Sequence, residues 1–358
     1  MSTRTLDFES TLRCTHDCMY CYNAWKKTGI MPSDLDTQAT KEMLQKAIKE
    51  VKPKRFIFSG GEPFMRPDWR ELFSFVHSFK LPITVVSNGT LLEKNDFNFC
   101  KKNGVDTFEF TLLSSDKMIH DLLARPKGDF SAFDNAVWAT QQAVKKGFSV
   151  IHVFVATHQN LKGLGKTMEL SYALGVRSFL FNRFNVGGEG IKHLNKLQVT
   201  PLELAGGLKI ANNFALLHPT FEISCAINIH PCLIDLKQFP KVKMTGCGIG
   251  PEQKLYVLDP IGNIRLCNFS SINVGNILEN SFDEIISGRK AKEFILAHPP
   301  HCEGCKKLAV CQGGCKASAD NCFGTPCAED DWLKKYKKGI YGNKTNRQVT
   351  AKNIENGS

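Results

Sequence analysis

The sequence predicts an α/β protein: a partial (βα)6 TIM-like parallel barrel, followed by a smaller cysteine-rich domain. Three observations predict it. Apolar strand-like runs alternate with helix-length stretches from residue 5 to about 181, the pattern of a parallel sheet covered by helices. The alternation gives six strands, two short of the eight-fold barrel. Ten of the fourteen cysteines then fall after residue 220, where the alternation stops.

The elements follow in order. Residues 5–10 alternate as a strand, and a helix is expected at about 36–50, with Asp34 or Asp36 near its start. Residues 55–59 read as a buried strand running into Gly60-Gly61-Glu62-Pro63. Strands at 83–87, 107–113, 149–156 and 176–181 follow, with helices at about 91–103, 131–147 and 161–174. Ser131 suits the N-cap of its helix. Thr200-Pro201-Leu202-Glu203 has the N-cap, first-turn proline and third-position glutamate of a helix start. Residues 221–226 read as a strand leaving the barrel. The expected domains are therefore 1–220, a bridging region 221–245, a cysteine-rich domain 246–335 and a flexible basic tail 336–358.

Composition narrows the class. At 358 residues, 42% hydrophobic and 23% charged, the chain is globular in character. No apolar run approaches the ~20 residues that span a bilayer, and the first residues lack a secretory signal. A cytoplasmic location is expected. Disulfides are not expected there, so fourteen cysteines point to metal or iron–sulfur ligation. The net charge of +11 permits an anionic partner. However, no basic stretch interleaved with aromatics supports nucleic acid, and a solvated basic surface accounts for the charge.

Cys14, Cys18 and Cys21 stand at C-x3-C-x2-C spacing just after the first strand. A [4Fe–4S] cluster usually takes four thiolates. Three on one loop leave one iron open to a small molecule, as a metal site that performs chemistry requires. The alternatives are structural cysteines or part of a zinc site. The loop lies at the carboxyl end of its strand, where ligands sit in such sheets.

With Tyr20 before the last cysteine, and GGEP about 40 residues on, the chain resembles the radical S-adenosylmethionine (SAM) enzymes. The resemblance implies that Cys14, Cys18 and Cys21 bind a cluster whose open iron is chelated by SAM, cleaved to a 5′-deoxyadenosyl radical. It implies that Gly60, Gly61, Glu62 and Pro63 bind the SAM amino group and that Ser87 and Asn88 contact SAM. Thr111 is the ribose candidate, and Tyr20 is expected to pack on the cluster or adenine. A plain Asn-Gly turn at 88–89 and a buried aromatic at Tyr20 are the structural alternatives. His120-Asp121, Arg125 and Gly128-Asp129-Phe130 resemble a run found in peptide-acting members.

The later cysteines resemble the SPASM domain, a C-terminal extension that holds two auxiliary clusters; a zinc ribbon is the alternative. By that resemblance, Cys247, Cys267 and Cys315 bind the first. Its fourth ligand is Cys232 or Cys225, unless the site is open. Cys302, Cys305 and Cys311 bind the second. The family's last cysteine falls at position 333, which is Leu333 here, so Cys327 is the expected substitute and Cys322 its alternative. Cys100 is expected in the core. Three [4Fe–4S] clusters and SAM are therefore the expected cofactors.

The function expected from this resemblance is modification of a ribosomally made precursor peptide, by cross-linking, epimerisation or backbone excision. A flavodoxin- or ferredoxin-type electron donor is the expected partner. With no recognition domain ahead of the first strand, a separate leader-binding protein is expected too. Asn268 stands where the sulfatase-maturing branch has an acidic base, which marks that branch down. Action on a small metabolite or tetrapyrrole is the alternative. An RNA-modifying enzyme and a non-catalytic metal-binding protein are the other classes.

Overall fold

The alternation of the sequence becomes one eleven-stranded sheet in the computed structural model, which describes residues 4–29, 31–250 and 254–337. Most of the basic segment expected as a tail lies outside the described residues. The strands are β1 (Thr5–Thr11), β2 (Arg55–Gly60), β3 (Ile83–Ser87), β4 (Val105–Thr111), β5 (Ser149–Ala156), β6 (Ser178–Arg183), β7 (Glu222–Cys225), β8 (Val242–Met244), β9 (Leu255–Leu258), β10 (Asn263–Arg265) and β11 (Gly275–Asn276). Strands β1 to β6 pair in parallel in chain order. This is the expected α/β arrangement of a parallel sheet followed by a cysteine-rich domain.

The helices start where the chain supplies caps. Asp36 accepts the Ala39 N–H at 2.8 Å and opens helix Thr37–Val51. Ser131 accepts from Asp134 and opens helix Ala132–Lys145. Thr200 and Glu203 form the capping box of helix Pro201–Leu217. Each cap satisfies N–H groups that have no partner within the helix.

Side chains alternate across the sheet. Leu6, Phe8, Phe56, Phe58, Phe108 and Phe110 are fully buried in the apolar layer. The opposite face is polar. Ser59 donates to Asp7, and Glu9 forms an ion pair with Arg265 of β10.

The sheet does not stop at residue 220. Residues 221–226 were expected to leave the barrel, but β7 continues it in parallel beside β6, and β8 follows. Ile223 and Cys225 point into the apolar layer under helix Pro201–Leu217, and that burial holds β7 in the sheet. On the other edge, β9 of the cysteine-rich region pairs in parallel with β1. Residues 282–296 form two helices, Phe282–Ser287 and Arg289–Leu296, separated at Gly288, whose ψ of 158° is extended.

Candidate functional site

The loop after β1 is held from two sides. On one side it meets the turn after β2. A side chain on Gly61 would place its Cβ 2.0 Å from the Arg13 carbonyl oxygen, and one on Gly60 would lie 2.4 Å from that of Thr11. The paired glycines therefore let the β2 turn touch the cysteine loop itself, and Gly61 and Glu62 donate their N–H groups to Thr11 and Arg13. Gly60 also has φ +123°, which favours glycine.

On the other side lies the stretch 120–130. Asp17 and Met19 donate backbone N–H groups to Arg125 and Leu123, and Lys127 donates to Thr15. The Arg125 guanidinium lies 3.1 Å from Asp17 and 3.7 Å from Glu189. The Phe130 ring stacks on His16. The run His120–Phe130, singled out from sequence, is thus a clamp on the cysteine loop. His120 is buried, with Nε2 3.4 Å from the Thr111 carbonyl.

Cys14, Cys18 and Cys21 line one cavity together with Tyr20, Gly60, Gly61, Ser87, Asn88 and Thr111. Glu62 and Pro63 do not line it. Glu62 is fully buried behind it and accepts the Ser87 hydroxyl at 2.9 Å and the Asn88 N–H at 2.8 Å. The Asn88 side-chain amide donates to Thr15 Oγ1 at 2.9 Å. Glu62 therefore sets the end of β3, and β3 in turn braces the cysteine loop.

Burial raises the pKa of all three thiols, Cys14 to about 11. Such thiols ionise only when a cation compensates, as a bound metal does. The donor set, three half-buried sulfurs on one loop, fits a cluster with one open iron.

A second cavity of about 450 Å³ adjoins the first. The two share Tyr20, Tyr22, Val86 and Thr111. Its far wall carries Cys247, Cys267 and Cys315, with Asn268 and Phe269. Tyr22 stacks on Phe269 with centroids 4.0 Å apart, and Asn268 Nδ2 donates to the Tyr22 hydroxyl at 3.2 Å. Asn185 donates to Cys315 Sγ at 3.1 Å. Neither Cys225 nor Cys232, the expected fourth ligands, lines this cavity. Cys225 is buried and donates to the Phe181 carbonyl at 2.7 Å.

Sequence reasoning missed Glu109. It lines the second cavity from β4, and among the described residues no hydrogen bond or ion pair engages its carboxylate. Burial raises its pKa to about 7. Asp7, on the same polar face, is also raised to about 7, by burial first and then by the Glu9 and Glu109 charges. The signal was legible in Thr107-Phe108-Glu109-Phe110-Thr111, whose alternation puts the glutamate opposite the phenylalanines.

Cys302, Cys305 and Cys311 line a third pocket. Cys327, the expected fourth ligand, is exposed and does not line it; Cys322, the alternative, packs beside the cluster around Leu113 and Phe184. Cys232 does line it. Cys100 sits in the core, as expected. Among the described residues no three His, Cys, Asp or Glu are gathered tightly enough for a single metal ion, whereas the ligands of a cluster each bind a separate iron.

A parallel α/β sheet with a three-cysteine loop at the end of its first strand, and a cysteine-rich domain after it, defines an iron–sulfur enzyme of the SAM-cleaving class. The chain is a radical SAM enzyme with a C-terminal SPASM domain. Residues 8–170 match the Radical SAM superfamily, and residues 247–311 match SPASM, described as an iron-sulfur cluster-binding domain. Among curated relatives, the Fe-coproporphyrin III synthase of Methanosarcina barkeri is 24% identical, over 92% of this chain and 88% of the relative. The AdoMet-dependent heme synthase of Oleidesulfovibrio alaskensis is 24% identical, over 91% of this chain and 86% of its own.

Solved structures share the fold. Native anSMEcpe with bound AdoMet superposes with a TM-score of 0.71 at 17% identity, covering 93% of this chain and 95% of its own. Streptococcus suis SuiB bound to precursor peptide SuiA gives 0.69 at 14% identity, over 92% and 76%. No helix among the described residues is long and apolar enough to cross a membrane.

Proposed function

We propose that this radical SAM/SPASM enzyme removes hydrogen from a side-chain carbon of a tetrapyrrole. The observation that carries this reading is the similarity to Fe-coproporphyrin III and heme synthases, which runs through both the barrel and the cysteine-rich domain. It displaces the precursor peptide expected from sequence to second place.

Cys14, Cys18 and Cys21 would hold the cluster, with Gly60, Gly61, Ser87, Asn88 and Thr111 around SAM. When bound, these groups supply a 5′-deoxyadenosyl radical that takes a hydrogen atom from carbon. The protein's own task is to place that carbon and exclude water. Tyr20, Tyr22, Val86 and Thr111, shared by the two cavities, mark the junction where the reacting carbon would sit. Cys247, Cys267 and Cys315 would hold an auxiliary cluster across the second cavity. An external one-electron donor of flavodoxin or ferredoxin type completes the proposal.

Peptide modification stays as a second reading because of the cavity's charge. Among its described lining residues the cation is Arg183, which is bound to Asp330, while Glu109 has no partner. Those walls offer a carboxylated macrocycle no free cation, and they suit a neutral or cationic peptide group.

The test is anaerobic reconstitution, then incubation with SAM, a reductant and either iron coproporphyrin III and its precursors or candidate precursor peptides. Product mass and 5′-deoxyadenosine are measured together. Tetrapyrrole mass change matched by 5′-deoxyadenosine supports the first reading. A mass change confined to peptide overturns it in favour of the second.

A further inference from the structure

We infer that Cys232, from the segment joining β7 to β8, is the fourth thiolate of the second auxiliary cluster, together with Cys302, Cys305 and Cys311. The assignment goes beyond the proposed function and does not depend on which substrate the enzyme takes. Three cysteines of the 302–311 loop fall short of the four that a closed [4Fe–4S] site uses. The structure supplies a fourth from well upstream, on a different element.

All four cysteines line one pocket, with His230, His301 and Leu333 among its walls. The two segments are stitched together at two points just ahead of Cys232. At one, Asn228 Nδ2 donates to the Cys311 carbonyl. At the other, Lys307 Nζ donates to the Pro231 carbonyl at 3.0 Å. The turn itself is closed by Leu233 and Ile234, whose N–H groups reach the His230 carbonyl at 2.9 and 3.1 Å. Cys232 is therefore held in place against the cysteine loop by bonds that do not involve its own sulfur.

The competing cysteines are placed elsewhere. Cys327 is exposed, on a turn where its N–H donates to Thr325 Oγ1 at 3.3 Å. Leu333 occupies the position where a cysteine was expected, and it faces the same pocket. Its N–H is fixed by Asp330 at 2.8 Å. Position 333 thus lines the pocket without a sulfur, and Cys232 brings one to it instead. Because Asn228 also lines the second cavity, this wall links the substrate side of the enzyme to the outer cluster site.

The experiment is iron and sulfide content with Mössbauer and EPR spectra of full-length protein, in a Cys14→Ala/Cys18→Ala/Cys21→Ala background that empties the SAM site. Circular dichroism reports folding. Cys232→Ala should lower iron by about one atom per chain if a three-iron cluster remains, or by about four if the cluster is lost. Cys327→Ala and Cys322→Ala should change neither iron nor spectra. The Cys232→Ala/Leu333→Cys double variant should recover the lost iron, because residue 333 faces the same pocket. Cys232→Ser should keep the fold and alter the spectra, should the alanine variant fail to fold. Unchanged iron and spectra in both Cys232 variants would overturn the assignment, as would iron loss in Cys327→Ala or Cys322→Ala. A triad-free background protein that holds no iron at all would overturn it together with the whole auxiliary-cluster reading.

Discussion

Arg183 and Asp330 meet at 2.9 Å with side-chain exposures of 1% and 0%. Arg183 ends β6 and Asp330 caps helix Asp331–Tyr336, so this pair joins the barrel to the end of the cysteine-rich domain. Asp330 also accepts the N–H of Cys315 at 3.1 Å, and the guanidinium lies over the Trp332 ring. A charge this deep is tolerable only while it is paired.

Asp330→Ala should therefore cost about 3–5 kcal/mol, the usual effect of leaving a buried charge without its partner. Chemical denaturation of the reconstituted protein measures it. A cost below about 1 kcal/mol, the range of exposed pairs, would show that the pair is relieved by solvent.

Gly61→Ala should displace the cysteine loop. Its Cβ would meet backbone at 2.0 Å, and backbone cannot swing aside as a long side chain does. We expect a stability loss of about 1–3 kcal/mol, with reduced iron at the SAM site and less 5′-deoxyadenosine. Gly206 lies in helix Pro201–Leu217 with open space around it. Gly206→Ala should leave activity intact and stabilise by about 0.4–1 kcal/mol. Equal effects from the two substitutions would refute the loop-contact explanation.

Arg125→Ala removes the ion pairs to Asp17 and Glu189 and leaves the backbone bonds of the clamp. The expected result is faster loss of the SAM-site cluster in air, with global melting little changed. Absorbance decay of the reconstituted protein reports it. Decay matching the wild type would mean that the backbone bonds alone hold the loop.

Glu109 gives a pH signature. Its folded pKa, about 7, lies above the usual carboxylate value because burial penalises the charge. The folded state thus holds its proton longer than the unfolded chain, and stability falls as pH rises from about 4.5 through about 7. Glu109→Gln should raise the melting temperature at pH 8 relative to wild type and have little effect at pH 5. The reverse order would mean that Glu109 has a cationic partner in solution.

His152 acts in the opposite direction. Burial lowers its pKa to about 3, and its two ring nitrogens lie 2.9 Å from Thr140 and Ser171. Its contribution is complete above the unfolded value near 6.5 and is lost as pH falls towards 3. Folding should weaken by up to about tenfold per pH unit in that window. His152→Gln should flatten this slope in denaturation curves recorded between pH 4 and 7.

Local spacing carried the parts of the site that one turn of chain supplies. Cys14, Cys18 and Cys21 sit within one loop, so their separation along the chain is already close to their separation in space. The same holds for Gly60–Pro63, whose glycines the sequence marks, although the structure turns them toward the cysteine loop and Glu62 toward β3. The caps at Asp36, Ser131 and Thr200 were legible for that reason as well.

Groups brought together from distant elements were not legible. The resemblance put Cys327 or Cys322 beside Cys302, Cys305 and Cys311 and gave Cys232 to the other auxiliary site, whereas Cys232 is the cysteine that lines their pocket. That placement depends on β7 and β8 continuing the sheet, which carries the intervening segment over the outer cysteine loop. Glu109 without a partner among the described residues, Arg265 reaching Glu9 and Arg183 meeting Asp330 likewise depend on sheet order and on which charges packing leaves facing one another. Fold class and the grouping of Cys14, Cys18 and Cys21 on one loop can be read from the chain alone, because both are written in short-range periodicity and spacing. How the later cysteines divide between sites, and what charge lines the cavity, emerge only in three dimensions, because they follow from contacts between segments that the chain keeps far apart.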